Sequence, residues 1–259
     1  FRSSSMLEDL KASSQGFGIF CGNTWFKATN IQLTWSNTTQ AWGNNTYLWP
    51  NDVTSSNFGG AFNIYAYAPY SSSYSSTSVP SDGSAVLLTF SCPMSNTTDL
   101  LWGEMSRTEY EVSFKFHHAL SKIVINLVAG NGVTVADLAS CTVAVKACRT
   151  VTIANGVADA TTTTNGDDWI PIGTGAQVAG IIVPQRIDGA TTAQQFVRVT
   201  MGSTNLYYYL TTDKTFAAEK KYTYSLRVSM SGISLESVRI NDWDNSGGAN
   251  TTTPDPLEI

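Results

Sequence analysis

The chain has few charged residues. Lys, Arg, Asp and Glu make up 14% of its 259 residues, against about 25% in an average globular protein. With 15 basic and 20 acidic residues the net charge is −5, so few cations are available to displace counterions from nucleic acid, and we expect no nucleic-acid binding. Ser, Thr, Asn and Gly replace the missing charges, and a surface solvated by hydroxyls and amides is typical of secreted and cell-surface β proteins.

Long apolar runs and catalytic motifs are also missing. No segment approaches the roughly 20 apolar residues of a membrane helix, and no secretion signal is present; because the chain begins with Phe1 rather than Met, we expect a processed form whose export signal has been removed. The sequence contains no HExxH, GxSxG or phosphate-binding loop. We therefore predict a protein that is not an enzyme and that uses no cofactor.

Metal-ligating residues are sparse. The adjacent His117 and His118 are the only histidines, and neighbours in a strand point to opposite faces, so they do not bind one metal together. The four cysteines lack CxxC spacing, which leaves a zinc or redox site without support. They are Cys21, Cys92, Cys141 and Cys148. Either Cys141 and Cys148 close a hairpin disulfide, or all four are small buried hydrophobic residues. We predict no metal site.

Strand signals occur throughout the chain. Apolar residues alternate with polar ones in the segment EVSFKFHHALSKIVINLV, which starts at Glu111, as in half-buried strands. Turn pairs such as Asn131-Gly132 and Asn155-Gly156 separate many short strands, a pattern typical of sandwiches. Near residue 108 the sequence changes from aromatic and loop-rich to dense strands. We predict an all-β protein with an N-terminal β-sandwich domain at 1–108 and a C-terminal one at 109–259.

Tryptophans are concentrated in the N-terminal half. Trp25, Trp35 and Trp42 lie within one short region and are our candidates for contact with a glycan or a partner, because exposed aromatic rings can stack on sugars. The alternative is burial in the core or at an interface, since each large ring buries much apolar area.

Several segments, taken in order, resemble the fimbrillin-like proteins, the subunits of surface pili in Bacteroidales. GFGIFCGN is similar to an early strand of the family, and YLWPNDV followed by FNIYAYAP is similar to its aromatic signature. FKFHHALSKIVINL resembles the Phe-x-His-Ala-Leu-Ser-Lys-Ile core motif. KKYTYSLRV, GISL and VRINDWD resemble the closing pattern. These segments, with TTDLLWGEM, cover most of the chain.

The resemblance implies two tandem transthyretin-like β-sandwich domains with Greek-key-type connections. It also implies export as a lipoprotein to the outer membrane, trimming of the first strand, and head-to-tail assembly into a fimbrium by strand donation from other fimbrial subunits. The segment LEDLKASS matches the trimming region and contains Lys11, and Arg2 is the only nearby arginine. Arg2 and Lys11 are therefore our candidate processing residues. The alternative is a surface lipoprotein that does not polymerise and binds a host or bacterial receptor or glycan through its aromatic N-terminal face. The sequence does not distinguish stalk, tip and anchor subunits.

Overall fold

Strands form nearly all of the regular structure, as the alternating sequence predicted. The computed structural model describes residues 10–22, 27–43, 63–74, 87–91, 99–107, 112–154, 157–158 and 168–243. The first strands are β1 (Phe17–Gly22), β2 (Lys27–Ser36), β3 (Ala41–Gly43), β4 (Asn63–Ala68), β5 (Leu87–Ser91), β6 (Leu101–Arg107) and β7 (Val112–His118). A 3-10 turn covers Ser72–Tyr74. The all-β class is confirmed.

The described part of the second half contains twelve further strands and one short helix. The strands are β8 (Ser121–Ala129), β9 (Thr142–Ala147), β10 (Thr150–Ala154), β11 (Val157–Ala158), β12 (Asp168–Thr174), β13 (Gln177–Ile182), β14 (Gln185–Ile187), β15 (Gln194–Met201), β16 (Thr204–Leu210), β17 (Lys214–Phe216), β18 (Lys220–Ser229) and β19 (Gly232–Asp242). The helix α1 (Val135–Ser140) begins with a capping box, in which Thr134 and Asp137 satisfy each other's backbone N–H groups.

The chain divides into two compact units. Unit 1 contains residues 1–88, 100–119 and 152–157, and unit 2 contains residues 89–99, 120–151 and 158–259. The largest sheet of unit 1 has the strand order β3-β2-β1-β4-β6-β7. Further sheets have the orders β11-β10-β5, β12-β9-β15-β16, β13-β8-β18-β19 and β14-β17.

Strand β7 pairs with β6 along its whole length, from Leu101 opposite His118 to Arg107 opposite Val112. This pairing places Val112–His118 in the sheet of unit 1, and the chain passes between the units at Ala119 and Leu120. The predicted domain boundary at residue 108 puts this strand in the second domain instead. The boundary itself stays a prediction. Alternation shows that Val112–His118 is a strand, but it does not show that this strand pairs back with β6, the strand that precedes it.

Unit 2 has one apolar core between two four-stranded sheets. Strand β8 alternates buried Ile123, Ile125 and Leu127 with half-buried neighbours, and it runs parallel to β18. The same cluster includes Val143 and Val145 from β9 in the other sheet. Because inward residues of both sheets join one cluster, the unit is a β-sandwich, in which alternate residues of each strand face the partner sheet.

Strand β19 keeps four apolar residues on the core side although their spacing is not regular. Ile233, Leu235, Val238 and Ile240 all pack against the core. Leu226 pairs with Leu235 and Ser225 pairs with Ser237, so Glu236 is the extra residue of a β-bulge. The bulge shifts the alternation by one residue and so returns Val238 and Ile240 to the inner face. The bulge also interrupts the regular backbone of the edge strand β19. Such an interruption hinders pairing of the edge with a strand of another chain.

Candidate functional site

The segment at 10–16 lies against the large sheet of unit 1. Residues 10–12 are helical, and Leu10 is only 8% exposed within an apolar cluster that contains Phe17, Ala66 and Leu101. Gln32 on β2 donates from its side-chain amide to the carbonyl oxygens of Ser14 (3.3 Å) and Gln15 (2.8 Å). An apolar anchor and two polar contacts therefore fix this segment to the sheet.

Two of the sequence-based candidates meet at this point. The ammonium of Lys11 lies 4.5 Å from the centroid of the Trp35 ring, a cation–π distance. The Trp35 ring lies edge-on to Trp42 at 5.5 Å, and Trp42 lies edge-on to the buried Phe17 at 5.0 Å. We call Lys11, Trp35, Trp42 and Phe17 the aromatic ladder. It runs from a half-exposed cation to the core of unit 1.

The indole rings of the ladder are held in fixed positions. Trp35 and Trp42 face each other on β2 and β3 as directly paired residues, and the indole N–H of Trp35 donates to Oδ1 of Asn37 (3.0 Å). Both rings are half-buried. Lys11 therefore covers one face of the Trp35 ring, and packing within the sheet covers much of the Trp42 ring. The other candidates, Arg2 and Trp25, lie outside the described residues.

The chain enters β1 through a sharp turn at Gly16. Its φ is +56°, a conformation that side chains with a Cβ adopt only at a cost. A Cβ atom at this position would lie 1.9 Å from the carbonyl oxygen of Leu33. Its own carbonyl oxygen accepts a hydrogen bond from the backbone N–H of Tyr70 (3.2 Å). Gly16 therefore determines how the 10–15 segment approaches the sheet.

A buried polar network, not foreseen from the sequence, lies in the same unit. The hydroxyl of Tyr67, whose side chain is fully buried, donates to Oδ1 of Asn30, and its oxygen lies 3.0 Å from the carbonyl oxygen of Ser71. Asn30, at φ +53°, donates from its side chain to the same carbonyl (2.8 Å). Burial raises the pKa of Tyr67 far above its usual value and that of Tyr74 to about 12. The network ties β2 and β4 to the 3-10 turn.

The remaining polar candidates are dispersed. His118 is buried and His117 half-buried on β7, and Cys141 and Cys148 are free thiols. The side chains of Cys21 and Cys92 are outside the described residues. Within the described ranges, no three His, Cys, Asp or Glu side chains are close enough to hold a metal ion. No helix there is long and apolar enough to cross a membrane.

The fold and site define an all-β protein whose N-terminal segment is anchored on an aromatic sheet. A family model described as fimbrillin-like matches residues 10–243, so the chain belongs to the fimbrillin-like family. The resemblance seen in its sequence is confirmed.

One curated relative comes from Bacteroides uniformis and carries the provisional name fimbrium subunit Fim1C. It is 31% identical over 156 residues, which are 56% of this chain and 50% of that protein. The chain thus spans half the length of the curated relative it matches.

Solved structures share the fold. A protein of Bacteroides uniformis, provisionally named a cell adhesion protein, has a TM-score of 0.58 at 22% identity, covering 88% of this chain and 91% of that one. A fimbrial protein of Bacteroides vulgatus has a TM-score of 0.51 at 20% identity, with coverages of 94% and 97%. At these identities the likeness establishes the architecture alone.

Proposed function

We propose that the chain is a structural subunit or adhesin of cell-surface fimbriae, and that it is not an enzyme. Its membership of the fimbrillin-like family supports this function, as does the name of the Bacteroides uniformis relative. We further propose export as a lipoprotein to the outer membrane, two transthyretin-like domains, and head-to-tail assembly with other fimbrial subunits by strand donation. In such an assembly a strand of one subunit completes the sheet of the next through main-chain hydrogen bonds.

The anchoring of Leu10 carries the strand-donation part of the proposal. Leu10 is almost fully buried among Phe17, Ala66, Ala68 and Leu101, and the candidate processing residue Lys11 comes directly after it. Cleavage after Lys11 would release Leu10 and expose the apolar residues that it covers. Exposed apolar area costs about 25 cal/mol per Å², so the trimmed subunit is stabilised when a strand of another subunit covers the same residues.

The test compares the full chain with a version that lacks residues 1–11. Size-exclusion chromatography with light scattering should show a monomer for the full chain and larger species for the trimmed one. Added synthetic peptides with strand-forming sequences should bind only the trimmed form. A trimmed chain that remains a stable monomer and binds no peptide would rule out strand donation.

A second candidate function is glycan binding by a surface lipoprotein that does not polymerise. The half-exposed, mutually packed rings of Trp35 and Trp42 favour it, because aromatic rings held rigidly on a sheet are suited to stacking on a sugar. Lys11 occupies a face of Trp35, so we expect this binding to be stronger after trimming. A glycan array with the trimmed chain and its Trp35→Ala variant tests this function, and binding that survives the substitution contradicts it.

A further inference from the structure

The outward face of a sheet in unit 2 brings together aromatic and cationic side chains from four strands. We call these residues the outer patch: Lys146 on β9, Trp169 on β12, Gln195 and Arg198 on β15, and Tyr207 and Tyr209 on β16. Direct pairing across the strands puts Trp169 opposite Lys146, Arg198 opposite Tyr207 and Gln195 opposite Tyr209. Residues directly opposite each other in antiparallel strands share a face, so all six project away from the core.

A β-bulge completes this arrangement. Gln195 pairs with Tyr209 while Val197 pairs with Tyr208, so Phe196 is the extra residue. Phe196 and Val197 are consecutive and both fully buried. Without the bulge, regular alternation would put Gln195 on the face opposite to Arg198. The bulge therefore allows a carboxamide and a guanidinium to lie on the same outward surface.

Arg198 has no carboxylate partner among the residues that the structure describes. Its guanidinium carbon lies 4.8 Å from the centroid of the Trp169 ring, and that ring lies 5.7 Å from Tyr207. The Nε atom of Arg198 is buried without a hydrogen-bond partner. A guanidinium has five N–H donors arranged to bind a carboxylate through two parallel bonds. The rings hold Arg198 in place and leave this capacity unused.

Four other basic residues in the described part of unit 2 form ion pairs. Arg149 lies beside Asp168 (3.7 Å), and Arg186, Lys220 and Arg227 each form an ion pair with Asp or Glu. Lys146, like Arg198, has no ion pair in the described part of the chain. In a protein with a net charge of −5, two unpaired cations on one aromatic face indicate a local preference for an anionic ligand.

We propose that the outer patch binds a saccharide that carries a carboxylate, such as a uronic or sialic acid residue. Arg198 and Lys146 would bind the carboxylate, Trp169 and the 43% exposed Tyr209 would pack against the sugar ring, and Gln195 would contact its hydroxyls. A patch of six residues is large enough to contact one or two sugar rings. A stable protein interface is larger, with about 20–30 residues on each side. The site is distinct from the aromatic ladder and requires no trimming.

The test measures binding of the full chain to trigalacturonic acid and to sialyllactose by isothermal titration calorimetry. Fully methyl-esterified trigalacturonate and lactose are the neutral matched ligands. We expect the two acids to bind and their neutral counterparts to bind at least about tenfold more weakly, because a hydrogen bond to a charged group is lost. Equal binding of acidic and neutral ligands, or no binding of either acid at millimolar concentration, overturns the proposal.

Variants connect the binding to these residues. Arg198→Gln should weaken the affinity for the acid about tenfold or more, and Lys146→Gln should weaken it less. Arg227→Gln removes a paired arginine elsewhere in unit 2 and should leave the affinity unchanged, and Trp35→Ala should also leave it unchanged. Circular dichroism confirms folding of each variant. If polyglutamate binds as tightly as the acidic sugars, or if Arg227→Gln has the same effect as Arg198→Gln, the patch is only a general cationic surface and the proposal fails.

Discussion

The ammonium group of Lys11 lies 4.5 Å from the centre of the Trp35 ring, so this candidate processing residue is held against the sheet. A protease must draw the residues around the cleaved bond into an extended conformation. The contact with Trp35 and the burial of Leu10 both oppose this. Cleavage after Lys11 would therefore require local release of the 10–16 segment.

We predict that Trp35→Ala accelerates tryptic cleavage after Lys11. A cation–π contact at a partly exposed site contributes about 0.5–1 kcal/mol, so the rate should rise roughly two- to fivefold if cleavage follows the population of the released segment. Mass spectrometry of timed digests measures the new N-terminus. Trp169→Ala removes an equivalent cation–π partner in unit 2 and is the matched control. An unchanged rate would show that Trp35 does not protect Lys11.

Many of the individual strands could be predicted from the sequence, but their spatial associations could not. The alternation of Ile123, Ile125 and Leu127 identifies β8 because a strand with one buried face requires it. The alternation of Phe114 and Phe116 identifies β7 equally well, yet contains no information about its pairing with β6. The choice between the preceding and the following strand as a partner depends on packing across the sheet, and the periodicity of one strand does not report it.

The same limit applies to the sites. Lys11 and Trp35 were both foreseen as functional candidates, for separate reasons, and only the folded sheet brings them into contact. The outer patch was missed because its six residues come from four strands and depend on a bulge at Phe196. The pair of adjacent buried residues, Phe196 and Val197, is the one local sign of that bulge.

Gly16→Ala should destabilise unit 1 by more than backbone strain alone. The φ of +56° costs an alanine about 1–2 kcal/mol, and its Cβ would also meet the carbonyl oxygen of Leu33 at 1.9 Å. Gly202→Ala is the matched control, because Gly202 has the same φ and no atom within 4 Å of the added Cβ. Urea unfolding of both variants measures the difference. Equal losses of unfolding free energy in the two variants would mean that the turn at Gly16 accommodates the added Cβ atom without a steric cost.

Tyr67→Phe should lower the free energy of unfolding by about 1–3 kcal/mol, because Asn30 and Ser71 lose a buried partner. The substitution should also change how the free energy of unfolding depends on pH. Burial raises the pKa of Tyr67 in the folded state above the unfolded value of about 10. Folding therefore favours the protonated form of Tyr67. The resulting contribution to stability is complete below pH about 10 and is lost as the pH rises towards the pKa of the folded state.

Denaturant titrations of the wild type and Tyr67→Phe between pH 8 and pH 11.5 test this prediction. The wild type should lose stability progressively above pH about 10, and the variant should lose less over the same interval. Tyr74, with a pKa raised to about 12, retains its effect in both proteins. Parallel pH profiles for the two proteins would contradict the assignment of the alkaline loss to Tyr67.

Tyr222→Phe should destabilise unit 2, although it removes one atom. The buried Tyr222 hydroxyl accepts a hydrogen bond from the backbone N–H of Ala217 (2.8 Å) and donates to the carbonyl oxygen of Thr215 (3.1 Å). Phenylalanine fills the same space and leaves both backbone groups without this partner, at a cost of about 1–3 kcal/mol. Tyr209→Phe is the control, because the Tyr209 side chain is 43% exposed and water can replace its hydrogen bond. Thermal unfolding should show a clear loss for Tyr222→Phe and almost none for Tyr209→Phe, whereas similar melting temperatures would mean that water reaches the 215–217 backbone.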